Sequence, residues 1–354
     1  MSCALWHGDC LDVMATLDAG SVDAIVTDPP YGLSFMGREW DHGIPGVPFW
    51  TAALRVAKPG AHLVAFGGTR TYHRLACAIE DAGWEVRDCL MWLYGSGMPK
   101  SLDVSKAIDK AAGAEREVLG EHARGRIAYG GYAKGALAQG ARPSLCMGDG
   151  NVTAPATDAA RAWSGWGTAL KPAWEPILLA RKPLAGTVAA NVQRHGTGAL
   201  NIDGCRVEAK GRPARESRSE ASVSVFSDGL NGSRAVGTTD LGRWPANVVL
   251  DEAAAAQLGD PSRFFYCPKA SRAERGEGNA HPTVKPVALM RWLVRLVTPP
   301  GGLVLDPFTG SGTTGVACAL ESMRFVGIEQ VEAYADMAMQ RLRAVRKAQR
   351  EAVK

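Results

Sequence analysis

The sequence predicts an α/β fold built on a mostly parallel sheet of seven strands with helices on both faces. Short apolar runs of strand length alternate along the chain with stretches of helical length and spacing. Two of the runs, Val22-Asp23-Ala24-Ile25-Val26-Thr27 and Leu303-Val304-Leu305, each stop at a carboxylate followed by proline. Nearly unbroken apolar runs suit strands buried on both sides, which is the condition of a parallel sheet.

In chain order, the strands are expected at residues 5–7, 23–27, 62–66, 86–94, 176–180, 302–305 and 324–328. Helices are expected at 48–57, 71–81, 101–112, 287–297, 313–321 and 331–347. The second strand must end at Asp28, because Pro29 and Pro30 lack N–H donors and stiffen the loop that runs on to Tyr31. Asp28 therefore sits at the C-terminal end of a strand, the edge where open α/β sheets bind ligands. A carboxylate, a carbonyl and a ring fixed there suit a flat, amine-bearing substrate.

The strand at 302–305 enters a glycine turn, Asp306-Pro307-Phe308-Thr309-Gly310-Ser311-Gly312-Thr313-Thr314-Gly315, and the following strand ends near Glu329. Gly310, Gly312 and Gly315 satisfy the G-x-G-x-x-G spacing, with an acidic residue placed to meet a ribose. On spacing alone, a dinucleotide site and a plain tight turn packing a helix on a sheet are both open.

With 354 residues and 46% hydrophobic content, the chain can bury a large core, as one domain with an insertion or as two domains. No apolar run approaches membrane-spanning length, and Asp9 and Asp12 interrupt the N-terminus, so an intracellular location without a membrane is expected. The eight cysteines form no C-x-x-C pair and read as reduced thiols, and no metal site is expected. Residues 112–280 hold 21 Lys and Arg against 17 Asp and Glu, while the rest of the chain is balanced at 19 each. The net charge of +4 thus lies in the middle, where an ordinary solvated surface and a nucleic-acid patch are both readings. Asp203 with Glu208 and Lys210 is discounted as a nuclease set. The basic residues from Arg341 to Arg350 read as a solvated helix face.

Taken together, Asp28-Pro29-Pro30-Tyr31, Asp306-Pro307-Phe308-Thr309-Gly310-Ser311-Gly312 and His281-Pro282-Thr283-Val284-Lys285-Pro286 resemble the motifs of S-adenosylmethionine-dependent amino-methyltransferases. The catalytic tetrapeptide precedes the cofactor loop, an order that resembles the beta class of DNA methyltransferases. The resemblance covers about residues 1–110 and 281–340. It implies a Rossmann-like, circularly permuted core with a reversed final strand pair, drawn from 86–94 and 176–180. Residues 1–112 would form the catalytic half and 281–354 the cofactor half with a basic C-terminal helix. Residues 113–280 would be an inserted target-recognition region, interrupted by a core segment at about 169–186.

The same resemblance implies transfer of a methyl group to adenine N6 in a short sequence of double-stranded DNA, by way of base flipping. Cytosine N4 is the alternative. Asp28, Pro29, Pro30 and Tyr31 would be catalytic, with Tyr31 stacked on the base and Trp92 and Tyr94 either a second wall or core packing. Asp9, Lys285, Asp306, Phe308, Gly310, Ser311, Gly312, Thr313 and Glu329 would hold S-adenosylmethionine, Asp9 at the adenine amine unless it is a helix cap. A homodimer is expected, and the enzyme would work with a cognate restriction enzyme or as an orphan. An RNA or protein methyltransferase fits the chemistry but not the motif order. A nicotinamide-dependent oxidoreductase leaves 28–31 unexplained, and a catalytically silent DNA-binding module leaves the whole catalytic loop without a use.

Overall fold

The computed structural model describes residues 3–33, 43–95, 97, 101–121, 151–217, 233–266 and 284–352. The strands are β1 (Cys3–His7), β2 (Val22–Thr27), β3 (Ala57–Phe66), β4 (Glu85–Leu93), β5 (Val118–Glu121), β6 (Asn151–Thr153), β7 (Trp174–Arg181), β8 (Arg212–Ser217), β9 (Ser233–Thr239), β10 (Val248–Leu250), β11 (Leu303–Asp306) and β12 (Arg324–Glu329). The α-helices are α1 (Cys10–Thr16), α2 (Val47–Val56), α3 (Tyr72–Asp81), α4 (Val104–Ala111), α5 (Asp158–Ala162), α6 (Val188–His195), α7 (Glu252–Leu258), α8 (Val287–Val297), α9 (Thr313–Leu320) and α10 (Glu332–Ala352).

The main sheet has the order β1-β12-β11-β2-β3-β7-β4-β10. Where seven strands were expected, the described residues form eight in this sheet. The additional β10 pairs in parallel with β4 and comes from the stretch read as insertion. Three residues, Val248-Val249-Leu250, are too few to show a period, so no strand signal is legible there. Instead of a reversed strand pair, β7 alone runs against its neighbours β3 and β4.

Strand alternation explains why both faces are covered. On β2, Ala24 and Val26 point into one core and Ile25 into the other; on β7, Ile177 and Leu179 face one side and Leu178 and Ala180 the opposite side. Helices α8 and α9 with Leu342 of α10 cover the first face, and α1, α2 and α3 cover the second. Every residue of β2 is buried, as its apolar run requires. Burial of one Leu- or Phe-sized side chain is worth about 1.5–3 kcal/mol, so two such layers supply the main driving force.

From β11 the chain winds outward through α9 to β12, and from β2 it winds through α2 to β3 on the other side. The strand order therefore reverses between β11 and β2, which opens a crevice at their carboxyl ends. Both ends of β2 are tethered to the C-terminal half. Asp23 accepts from the Leu303 amide at 2.7 Å, and Thr27 Oγ1 donates to Asp306 Oδ1 at 2.7 Å.

Two compact units are present: residues 1–95 with 174–354, and residues 96–173. The first contains the sheet and also α6, whose buried Asn191 donates to the Pro59 and Thr197 carbonyls at 2.9 and 2.7 Å. The second is organised around fully buried Asp109, which accepts from Arg116, Ala156 and Thr157. Burial alone would raise this carboxyl, but those donors hold it at about 2. Among the described residues, no helix is long and apolar enough to cross a membrane.

Candidate active site

Asp28 and Tyr31 leave β2 at the crevice, and Tyr31 turns back so that its hydroxyl donates to Asp28 Oδ1 at 2.9 Å. The loop is held from the far side by Thr71, whose hydroxyl donates to the Tyr31 carbonyl at 2.8 Å. Pro29 is buried, and Asp28 is about a quarter exposed, at 23% of its side chain.

Lys285 meets this loop. Its Nζ lies 2.9 Å from Asp28 Oδ2, 3.2 Å from Glu175 Oε2 and 3.0 Å from the Tyr31 hydroxyl. The ammonium also sits 4.8 Å from the centre of the Phe66 ring and 5.3 Å from that of Tyr31. Burial alone would lower Lys285, yet Asp28 and Glu175 outweigh it and hold its pKa above the usual lysine value. Burial, Asp28 and Glu175 together push the Tyr31 hydroxyl well above 10, so it remains a neutral donor. Tyr94 is raised to about 12, first by burial and then by Glu175.

Lys285 is among the residues expected to hold S-adenosylmethionine. An ammonium has three hydrogens, and here it has three oxygen partners, on Asp28, Glu175 and Tyr31, which leaves no hydrogen for a ligand in this arrangement. Thr283, named beside it, lies outside the described residues, as do His281 and Pro282.

Glu175 was missed as a site residue. It stands at the start of β7, and because β7 runs antiparallel, its beginning reaches the edge where β2 and β3 end. The available signal was a glutamate between Trp174 and Pro176, immediately before the apolar run 177–180.

The glycine turn lies across the crevice. Asp306, 1% exposed, accepts from Thr27 and from the Phe308 amide at 3.1 Å. Burial raises its carboxyl to about 6 against the pull of those hydrogen bonds. At the end of β12, Glu329 accepts from the Gly310 amide at 2.7 Å and the Val331 amide at 2.8 Å, and burial raises its carboxyl too. Gly312 donates its N–H to the Thr309 carbonyl at 2.9 Å. The Gly310 and Gly312 amides are thus engaged within the protein, and what these glycines offer a ligand is close approach.

Gly312 opens α9 at φ 80°, and a Cβ there would lie 2.8 Å from that of Ala338. Gly315 packs α9 against β12, since a Cβ would meet the Phe325 ring at 2.7 Å. Arg341 is not simply solvated: it reaches from α10 to the Ser311 carbonyl at 2.6 Å and to the hydroxyls of Ser311 and Thr313 at 3.0 and 3.1 Å.

Phe308 rests near Phe49 and Trp50, with ring centres 6.0 and 6.3 Å away. Asp9 is exposed and caps α1, accepting from the Leu11 amide at 2.7 Å. Trp92 packs on the core beside Tyr94, with ring centres 5.2 Å apart, and its buried Nε1 has no hydrogen-bond partner among the described residues. No cluster able to hold a metal ion occurs among the described residues.

Residues 22–340 match the model of a family described as DNA methylase, of the N6/N4 methyltransferase type. The chain belongs to this family. Its members are S-adenosylmethionine-dependent DNA methyltransferases that act on adenine N6 or cytosine N4. The chain is 23% identical to the type II methyltransferase M.HindIII of Haemophilus influenzae, over 96% of its own length and 94% of that protein. It is 45% identical to the putative methylase YubD of Escherichia coli over 20% of the chain and 31% of that protein. Among solved structures, the M1.HpyAVI–SAM complex aligns with TM-score 0.45 and 19% identity, covering 96% of this chain and 98% of that one. The cytosine-N4-specific PvuII DNA methyltransferase aligns with TM-score 0.49 and 14% identity, covering 96% and 86%.

Proposed function

We propose that this DNA methyltransferase acts on adenine N6, with Asp28, Pro29, Pro30 and Tyr31 as its catalytic loop and the turn at 306–313 with Glu329 and Asp9 as its cofactor side. The observation that carries this assignment is the Thr27–Asp306 hydrogen bond, which sets the two motif loops side by side across the crevice. The donor set on the cofactor side suits a cationic nucleoside. Glu329 and Asp9 can accept from hydroxyl and amine hydrogens, and Phe308 offers an apolar ring from the glycine turn. Bound there, S-adenosylmethionine supplies an electrophilic methyl group on a sulfonium.

An exocyclic amine is a poor nucleophile because its lone pair is delocalised into the ring. Asp28 and the Pro29 carbonyl would accept its two hydrogens, which pyramidalises the nitrogen and aims the lone pair at the methyl group. Positive charge growing on nitrogen then lies beside Asp28, which takes or relays the departing proton. Tyr31, its hydroxyl anchored, presents its ring to a base that must leave the duplex, because a paired amine is inaccessible. Stacking returns about 1–3 kcal/mol of the extrusion cost. Preference for adenine rests on aspartate at position 28, the residue that the family resemblance associates with adenine. The excess positive charge of residues 112–280 supports a target-recognition role for that region.

Incubation with methyl-labelled S-adenosylmethionine and unmethylated plasmid DNA, followed by nucleoside mass spectrometry, tests the proposal. Label in N6-methyladenine is expected. Label in N4-methylcytosine would overturn the base assignment, and label confined to RNA or protein would overturn the substrate.

A further inference from the structure

Two carboxylates from distant parts of the chain share one buried cation beneath the catalytic loop, and a single tyrosine hydroxyl spans both. Lys285 is 8% exposed and touches Asp28 and Glu175 at once. The Tyr31 hydroxyl lies 2.9 Å from Asp28 and 3.1 Å from Glu175, but its one hydrogen serves only one of them at a time. We propose that Glu175 and Lys285 are positioning residues for the transfer step: Lys285 keeps the two carboxylates from sharing a proton, and Glu175 restores the negative charge that Lys285 would otherwise cancel at Asp28. The inference rests on the methyl-transfer reading above.

The charge count gives the reason. Asp28 paired with Lys285 alone would be a neutral dipole, a weak partner for a nitrogen that is becoming cationic. Without Lys285, two carboxylates bridged by one hydroxyl would hold a proton between them, as adjacent carboxyls do. With all three present, the cluster carries one net negative charge and Asp28 remains an acceptor. The other groups facing it do not supply that charge. Among the described residues, Tyr94, raised by burial and Glu175, is neutral, Phe66 contributes only its ring face, and Asp306, which burial raises to about 6, is bonded to Thr27 and the Phe308 amide in the facing loop and makes no contact with Lys285.

Single-turnover methyl transfer to plasmid DNA by the full chain, followed from pH 5 to 9, tests this in Lys285→Met, Glu175→Gln and the double variant. Lys285→Met should move the acidic limb of the profile up by about one pH unit or more, because one proton is now shared. Glu175→Gln should slow transfer about 10- to 100-fold without moving that limb upward. The double variant, with a lone Asp28 charge, should return the limb to the wild-type position. Affinity for S-adenosylmethionine should stay within about threefold in all three, since neither residue is assigned to the cofactor.

A purely structural role predicts the opposite pattern: a double variant worse than either single, with no displaced limb. Either that pattern or an unmoved limb in Lys285→Met overturns the proposal. Should Lys285→Met fail to fold, Lys285→Arg and Glu175→Gln decide the matter. A wild-type limb in the first with slowed transfer in the second supports the proposal, and unimpaired transfer in Glu175→Gln overturns it. Wild-type protein that methylates no DNA would instead overturn the assigned function itself.

Discussion

On one side of the crevice, Glu329 and Asp306 are held by amides and a hydroxyl; on the other, Asp28 and Glu175 are held by an ammonium and a phenol. Backbone donors orient a carboxylate without placing a cation against it, which suits the hydroxyls and cationic ligand proposed for that side. A lysine orients too, but it cancels charge, and on the proposed catalytic side a second carboxylate keeps the cluster negative. The first arrangement is mostly local, since Gly310 and Val331 lie near Glu329 and Phe308 lies near Asp306 in sequence, with Thr27 the one distant donor. The second joins residues 28, 175 and 285 only through the fold. Removing one member of a buried ion pair typically costs 3–5 kcal/mol, roughly twice the loss of one neutral hydrogen-bond partner, so the two sides should respond differently to substitution.

The largest effect is expected on the catalytic side. Asp28→Ala should lower transfer by about 10³-fold or more in a single-turnover assay, because it removes the acceptor nearest the developing charge. On the cofactor side, Gly312→Ala forces a side chain against Ala338 in a left-handed conformation and should cost about 1–3 kcal/mol in denaturant unfolding.

Asp306 gives a pH-dependent version of the comparison. Its carboxyl is raised from 3.8 to about 6, so folding favours the protonated form. That contribution is complete below the unfolded value and is lost as pH rises through about 6. Asp306→Asn should therefore gain about 1–3 kcal/mol relative to wild type on going from acid to neutral pH, read by thermal melts at each. The smallest effect separates two uses of one residue. Asp9→Ser keeps a good cap and should leave stability within about 0.5 kcal/mol, while weakening S-adenosylmethionine binding if Asp9 also meets the ligand. Unchanged binding in a calorimetric titration would leave Asp9 as a cap alone.

Residues close in sequence made the local features readable. The proline stop after Asp28, the glycine turn and helix α8, expected at 287–297 and found at Val287–Val297, all follow from short-range chemistry. Glu175 was not readable, because its place depends on the direction of β7, which no local pattern encodes. The contacts of Lys285 with Asp28, Glu175 and Tyr31 were not readable either, since its three acceptors come from elements far apart in the chain. Arg341 looked like surface charge by composition and became a clamp on Ser311 and Thr313 only once α10 packed on the glycine turn. Strand β10 was too short to announce itself.

The division of labour between the two sides is tested most directly by calorimetric titration of S-adenosylmethionine into the Asp28→Ala protein. Binding within about twofold of wild type is expected, alongside the lost transfer, because Asp28 is assigned to the amine and not to the cofactor. Loss of cofactor binding in that variant would contradict the account, since the two sides would then be one.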